Sequence, residues 1–210
     1  MFIMRKKLIT IQTKEDYQTF LKKLNLYKSV FYRNTLFLLE NHTQEKELEE
    51  IIEALNIKQR KKRITYIYDT SCHKIDRITS GKNICGFEKN QCYVQRKLKN
   101  GKYNGCCRGC LYQSKKGCTT KNLTCKLFNC SEVTKRYQIP TYQDLKILKL
   151  LSLKNQILIK DDYFATREQV LKDLYSYSLI YATMKITFRL IKNTILLKRP
   201  KKRSSSHFEE

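Results

Sequence analysis

GKNICGFEKNQCYVQRKLKNGKYNGCCRGCLYQSKKGCTTKNLTCKLFNC, from Gly81 to Cys130, is the stretch around which the rest of the chain is read. It carries eight of the nine cysteines: Cys85, Cys92, Cys106, Cys107, Cys110, Cys118, Cys125 and Cys130. All six glycines fall inside it and both prolines fall outside. The spacing is C-x6-C-x13-C-C-x2-C-x7-C-x6-C-x4-C. A tetrahedral Zn²⁺ takes four thiolate or imidazole ligands, so the chain must wrap closely around the ion. Glycine lets backbone approach that closely, and Gly86, Gly105, Gly109 and Gly117 each adjoin a cysteine. Cys107-Arg-Gly-Cys110 forms a compact C-x-x-C unit.

Eight thiols admit two four-thiolate sites, or one site with thiols to spare. Adjacent Cys106 and Cys107 diverge in extended chain and can serve two ions. Iron–sulfur clusters also use four cysteines, but these spacings match neither ferredoxin run, which favours zinc over iron. Vicinal and C-x-x-C thiols can instead exchange with disulfides, although two cysteines suffice for that. A module that only holds the fold together fits the same pattern.

No apolar h-region follows Met1, so a reducing, cytoplasmic location is expected, in which clustered cysteines serve as ligands rather than disulfides. No uncharged apolar run of about 18 residues occurs, so no transmembrane segment is expected. Lys and Arg number 43 against 19 Asp and Glu, a formal net charge of +24. That surplus suits nucleic acid or another polyanion; solvated surface lysines account for it equally well. No Ser/His/Asp set, paired-carboxylate signature, P-loop or dinucleotide fingerprint is present, so no catalytic residue is assigned and no enzymatic activity is expected.

The order Cys106-Cys107-x-x-Cys110, then Gly117-Cys118, then Cys125-Lys-Leu-Phe-Asn-Cys130 resembles the zinc- or iron-chelating cysteine-cluster proteins of the YkgJ type. That resemblance covers residues 85–130. It implies metal chelation by all eight cysteines of the stretch and no defined reaction.

Upstream, residues 1–80 form an N-terminal helical arm without Gly or Pro. Thr13 with Asp16 reads as a capping-box variant opening a helix whose apolar face is Tyr17, Phe20, Leu21 and Leu24. Residues 26–39 fit a strand or a helix. Thr43 is the expected cap of a second helix with an Leu48, Ile51, Ile52 and Leu55 stripe. Ile64, Ile67, Tyr68, Cys72, Ile75 and Ile78 step at helical spacing, which makes Cys72 a core thiol rather than a ligand. Lys58, Arg60, Lys61, Lys62 and Arg63 form a basic run that suits phosphate contact or a solvated helix end.

Downstream of the cysteine module (residues 81–136), residues 137–197 form a C-terminal helical arm. Thr141 with Asp144 reads as the cap of a helix reaching about Leu153. Residues 156–160 read as a short strand, and Thr166 to Gln169 as a capping box. Val170, Leu174, Tyr177, Tyr181, Met184, Phe188, Ile191 and Ile195 then make a heptad seam. Its expected use is burial of one long helix against the N-terminal helices. A homo-oligomer through residues 170–195, or a membrane-surface helix, is the less favoured use. Pro200 ends the helix, and the basic tail of residues 198–210 includes Lys201, Lys202 and Arg203. It is expected to be disordered and to attract polyanions.

The expected fold is therefore mainly α: two helical arms around a loop-rich cysteine metal-binding module, with a few short strands. The expected function is metal binding (Zn²⁺, alternatively iron or an iron–sulfur cluster) without catalysis. The alternatives are a basic zinc-dependent nucleic-acid-binding protein and a thiol or iron–sulfur redox protein.

Overall fold

The computed structural model describes residues 5–42, 46–86, 88, 92–97, 113–114, 117–118 and 122–198. Within them the protein is mainly helical. It opens, however, on a β-α-β unit that the sequence reading did not anticipate. Strand β1 (Arg5–Ile11) runs parallel to β2 (Thr35–His42), with Arg5 opposite Thr35 and Ile9 opposite Leu39. Helix α1 (Lys14–Tyr27) and a 3-10 turn (Val30–Tyr32) make the crossover that parallel strands require. The capping box at α1 is as read: Asp16 N donates to Thr13 Oγ1 at 3.1 Å and Thr13 N donates to Asp16 Oδ2 at 2.9 Å. Phe20, Leu21, Leu24 and Tyr27 are buried. The ambiguous stretch 26–39 resolves into the end of α1, the 3-10 turn and most of β2. The first strand was hidden because only Ile9 and Ile11 of it are buried. Two alternating apolar residues are too few to distinguish from a polar leader.

Helix α2 (Lys46–Asn56) buries Leu48, Ile51, Ile52 and Leu55, as its stripe demands. Thr43 lies outside the described residues. The last residue of α2 covers the edge of β2: Phe37 N donates to Asn56 Oδ1 (2.8 Å) and Asn56 Nδ2 donates to Phe37 O (2.9 Å). An exposed strand edge is thereby satisfied. Helix α3 (Arg60–Thr79) buries Ile64, Ile67, Tyr68, Cys72 and Ile75. Burial pushes the Cys72 thiol up to about 12, which keeps it protonated in the core.

Three downstream expectations change. The Thr141–Asp144 capping box exists, but it opens a 3-10 turn (Tyr142–Asp144), and a second 3-10 turn (Lys146–Leu150) follows. Residues 156–160 are not a strand; they belong to helix α7 (Leu153–Asp161), where Ser152 caps the first turn and Leu158 and Ile159 are buried. The Ile-Leu-Ile run reads as β by propensity, and packing overrides it. Finally, the heptad seam is not one helix. Helix α8 (Arg167–Tyr175) ends at Ser176, and α9 (Leu179–Lys198) begins anew. Ser176 Oγ accepts from Ser178 N at 3.3 Å, and Ser178 Oγ accepts from Tyr181 N at 3.1 Å. Side-chain oxygens that satisfy backbone donors locally offer the chain a break that needs neither Gly nor Pro.

One hydrophobic core serves both arms. It joins Leu24, Ile51 and Ile67 to Leu123, Leu148, Ile159, Val170 and Leu174.

Candidate functional site

Between the arms the structure describes three short helices, α4 (Tyr93–Lys97), α5 (Leu123–Leu127) and α6 (Ser131–Arg136). A two-residue antiparallel pair, β3 (Gln113–Ser114) and β4 (Gly117–Cys118), lies between α4 and α5 in sequence. Cys106, Cys107 and Cys110 lie outside the described residues. Cys118 stands in β4, paired with Gln113. Among the described residues no group of three or more His, Cys, Asp or Glu is placed to hold a metal ion.

The first two cysteines are nonetheless brought together. Tyr93 N donates to Cys85 O at 2.9 Å, closing the chain on itself between Cys85 and Cys92. Gly86 makes this closure possible. Its φ is +55°, and a Cβ there would meet Tyr93 Cβ at 3.0 Å. Both facts exclude a side chain at low cost. The Arg136 guanidinium lies 4.2 Å from the centre of the Tyr93 ring. Arg136 ends α6, and Cys130 caps the start of that helix: its carbonyl accepts from Val133 N at 2.9 Å. Six helical residues span roughly 9 Å. Helix α6, which Cys130 opens, thus reaches the Cys85–Tyr93 closure through the Arg136 side chain at its far end.

Cys125 is held from the other side. Asn122, fully buried, accepts from Cys125 N at 3.2 Å and donates to Asp162 O (2.8 Å) and Ala165 O (3.0 Å). Leu123 N donates to the buried Tyr68 hydroxyl at 2.9 Å, and Thr124 Oγ1 donates to Ile159 O at 2.5 Å. The segment 122–124 is thus a plug that anchors the end of the cysteine module in the helical body. Sequence reading passed over it because Asn and Thr are common loop residues; the signal was an apolar Leu between two cap-forming residues.

Several side chains of the basic run hydrogen-bond within the protein. Arg60 Nη1 donates to Tyr175 O at 2.6 Å, and its Nη2 donates to Leu174 O at 3.2 Å, so it caps the C-terminus of α8. Lys58 donates to Thr35 O and Leu55 O. Arg63 Nη1 donates to Ile57 O at 3.4 Å. Lys61 lies over the Tyr175 ring, 5.8 Å from its centre, and Lys62 is exposed. Lys201, Lys202 and Arg203 lie outside the described residues.

Lys58, Arg60 and Arg63 also converge, with Lys28 and Arg33, on one cavity of about 170 Å³. Among the described residues no carboxylate lines it. At about 30 Å³ per water, the volume suits roughly five waters or one phosphoryl group. Ser29 also lines it, and Ser29 Oγ is buried without a hydrogen-bond partner among the described residues. Burial and then the Arg63 charge lower the pKa of both Lys28 and Lys58; burial, Arg60 and Arg33 lower that of Arg63. The cations repel one another in a partly desolvated space, and an anion placed among them relieves that repulsion. Only Lys58, Arg60 and Arg63 were visible as a set in the sequence. Lys28 and Arg33 join through the turn after α1.

No helix among the described residues is long and apolar enough to cross a membrane. No protein-family model, curated protein or solved structure matches the chain.

Proposed function

We propose that this protein binds phosphate-bearing polyanions, nucleic acid foremost, on its helical body, and that its cysteine segment is a metal module. The observation carrying the first half is the cavity where five cations meet without a carboxylate. Intramolecular carbonyls use only some of the donors on these side chains. Arg33 is exposed and makes no side-chain hydrogen bond among the described residues. A guanidinium in that state is suited to bidentate phosphate contact. The net charge of +24 supplies attraction at longer range.

Fluorescence anisotropy with labelled single-stranded RNA and DNA tests this. Affinity should fall steeply with salt, with a log–log slope near −0.7 per phosphate neutralised. Arg33→Ala should weaken binding about tenfold, the scale of one lost charge-assisted contact. Inorganic pyrophosphate should compete. Wild-type affinity that Arg33→Ala and pyrophosphate leave unchanged sinks the cavity as the contact site.

The metal half rests on the eight cysteines and on the glycine-dependent closure that brings Cys85 to Cys92. Zn²⁺ in one or two four-thiolate sites is the proposed occupant, in keeping with the YkgJ-type pattern. Elemental analysis should find one or two zinc ions per chain. A brown protein absorbing in the visible would replace zinc by an iron–sulfur cluster, and less than one metal per chain would remove the metal reading. Stoichiometric zinc with no salt-dependent polyanion binding would leave a metal-binding protein without that second role. The intramolecular hydrogen bonds of Lys58 and Arg60 favour this narrower reading.

A further inference from the structure

The chain that follows α1 supplies one wall of the cation-lined cavity, through Lys28, Ser29, Val30, Tyr32 and Arg33. Between Lys28 and Arg33, Phe31 alone is not part of that wall. It is 88% exposed, and Val30 beside it is 78% exposed. A lone exposed apolar residue is ordinary on a protein surface. What gives this ring a use is its place in the chain, between two residues that line a cavity of cations.

The cavity holds about 170 Å³. Pockets that enclose a whole small molecule hold roughly 300–1,000 Å³. A phosphoryl group therefore enters, and the sugar and base attached to it stay outside. Hydrogen-bond donors remain inside for it. Among the described residues the Arg33 guanidinium makes no hydrogen bond, and that of Arg63 makes one, from Nη1 to Ile57 O. Lys28 donates to Lys149 O (3.0 Å) and Leu151 O (3.1 Å), and Lys58 to Thr35 O and Leu55 O. An ammonium has three N–H groups, so each keeps one. The Ser29 hydroxyl, buried and without a partner among the described residues, adds another.

We propose that this cavity recognises a phosphorylated end of single-stranded nucleic acid: the terminal phosphomonoester enters among the cations and the terminal base stacks on Phe31. The inference rests on the phosphate-binding reading of the cavity given above and narrows it from strand backbones to strand ends. An internal phosphodiester offers two free oxygens and one negative charge, and its strand must leave the cavity in two directions. A terminal monoester offers three free oxygens and a charge of about −1.5 to −2 at pH 7, and its strand leaves in one. Burial, and then the Arg63 charge, lower the pKa of Lys28 and of Lys58. A dianion offsets more of the repulsion among these cations than a monoanion does. Every base has a π face, so stacking on a phenyl ring needs no particular sequence. A base at the end of a single strand is free to turn onto the ring.

Fluorescence anisotropy on the full-length protein tests this with three internally labelled single strands of one sequence. One carries a 5′-phosphate, one a 3′-phosphate, and one a hydroxyl at both ends. One phosphorylated form should bind at least about tenfold tighter than the hydroxyl form, and which one it is identifies the end recognised. Arg33→Ala should remove most of that difference. Phe31→Ala should weaken the phosphorylated strand about tenfold and leave competition by inorganic pyrophosphate unchanged. Both side chains are exposed, so circular dichroism should show both variants folded. Equal affinity for the three strands, with steep salt dependence, overturns end recognition and leaves general polyanion binding standing. No binding of any strand overturns both. Adenosine 5′-monophosphate competing as well as the phosphorylated strand overturns the proposal by assigning the cavity to free nucleotides. Phe31→Ala with wild-type affinity for the phosphorylated strand overturns the base platform.

Discussion

Replacing Arg189 by Met removes the cation that buried Asp162 and Asp173 share; Asp173 keeps a longer ion pair to Lys185 at 3.9 Å, whereas Asp162 keeps none among the described residues. Asp162 is 0% exposed and Asp173 2%, and both contacts are 2.6 Å. Methionine keeps the length of the side chain and deletes the charge. An uncompensated buried charge costs about 3–5 kcal/mol, a large share of a typical 5–15 kcal/mol total. The loss should depend on pH. Burial, and then the neighbouring Asp173, raise the Asp162 carboxyl from its ordinary 3.8 to about 6, against the opposing pull of Arg189. The folded state therefore binds this proton more tightly than the unfolded state. That stabilisation is complete below about pH 4 and is lost as pH rises through about 6. The shift corresponds to about 3 kcal/mol at 1.36 kcal/mol per unit. In Arg189→Met the carboxyl titrates higher still, so protonation at pH 5 should recover much of what is lost at pH 7. Asp162→Asn, which mimics the protonated form and leaves Asp173 to pair Arg189, should be about 1–3 kcal/mol more stable than wild type at pH 7. Urea unfolding followed by circular dichroism at pH 5 and pH 7 reads all three proteins. An Arg189→Met loss below about 1 kcal/mol, or equal at the two pH values, refutes the account of α9 docking.

Asn122→Ala removes an α5 cap and two buried hydrogen bonds to the turn between α7 and α8. A loss of about 2–3 kcal/mol is expected in the same unfolding assay. Tyr68→Phe leaves the buried Leu123 N–H without its acceptor and should cost about 1–3 kcal/mol; an unchanged midpoint would show that the plug is not seated there. Gly86→Ala forces a left-handed residue against Tyr93 and should cost about 1–2 kcal/mol. On the proposed zinc reading it should also speed metal loss to a chelator, measured by a colorimetric zinc dye, whereas unchanged release would detach Gly86 from the proposed site.

The helices that the sequence made legible are those whose code is local. Thr13 with Asp16 and Thr166 with Gln169 are caps written within four residues, and the stripes of α2 and α3 repeat at 3.6 residues. The clustering of eight cysteines is equally local, so the proposal of chelation comes from the sequence alone. The parallel pairing of β1 with β2 could not be read that way, because Arg5 and Thr35 meet only after a 14-residue helix intervenes. The cation-lined cavity has the same origin: Lys28 and Arg33 share its wall with Arg63 only in the folded chain. The seam of α9 is the sharpest case. Periodicity establishes that a helix has an apolar face, but not which way the face points. That direction was decided by Asp162 and Asp173, two acids distant in sequence that bind Arg189 on the opposite side and turn the apolar stripe toward solvent.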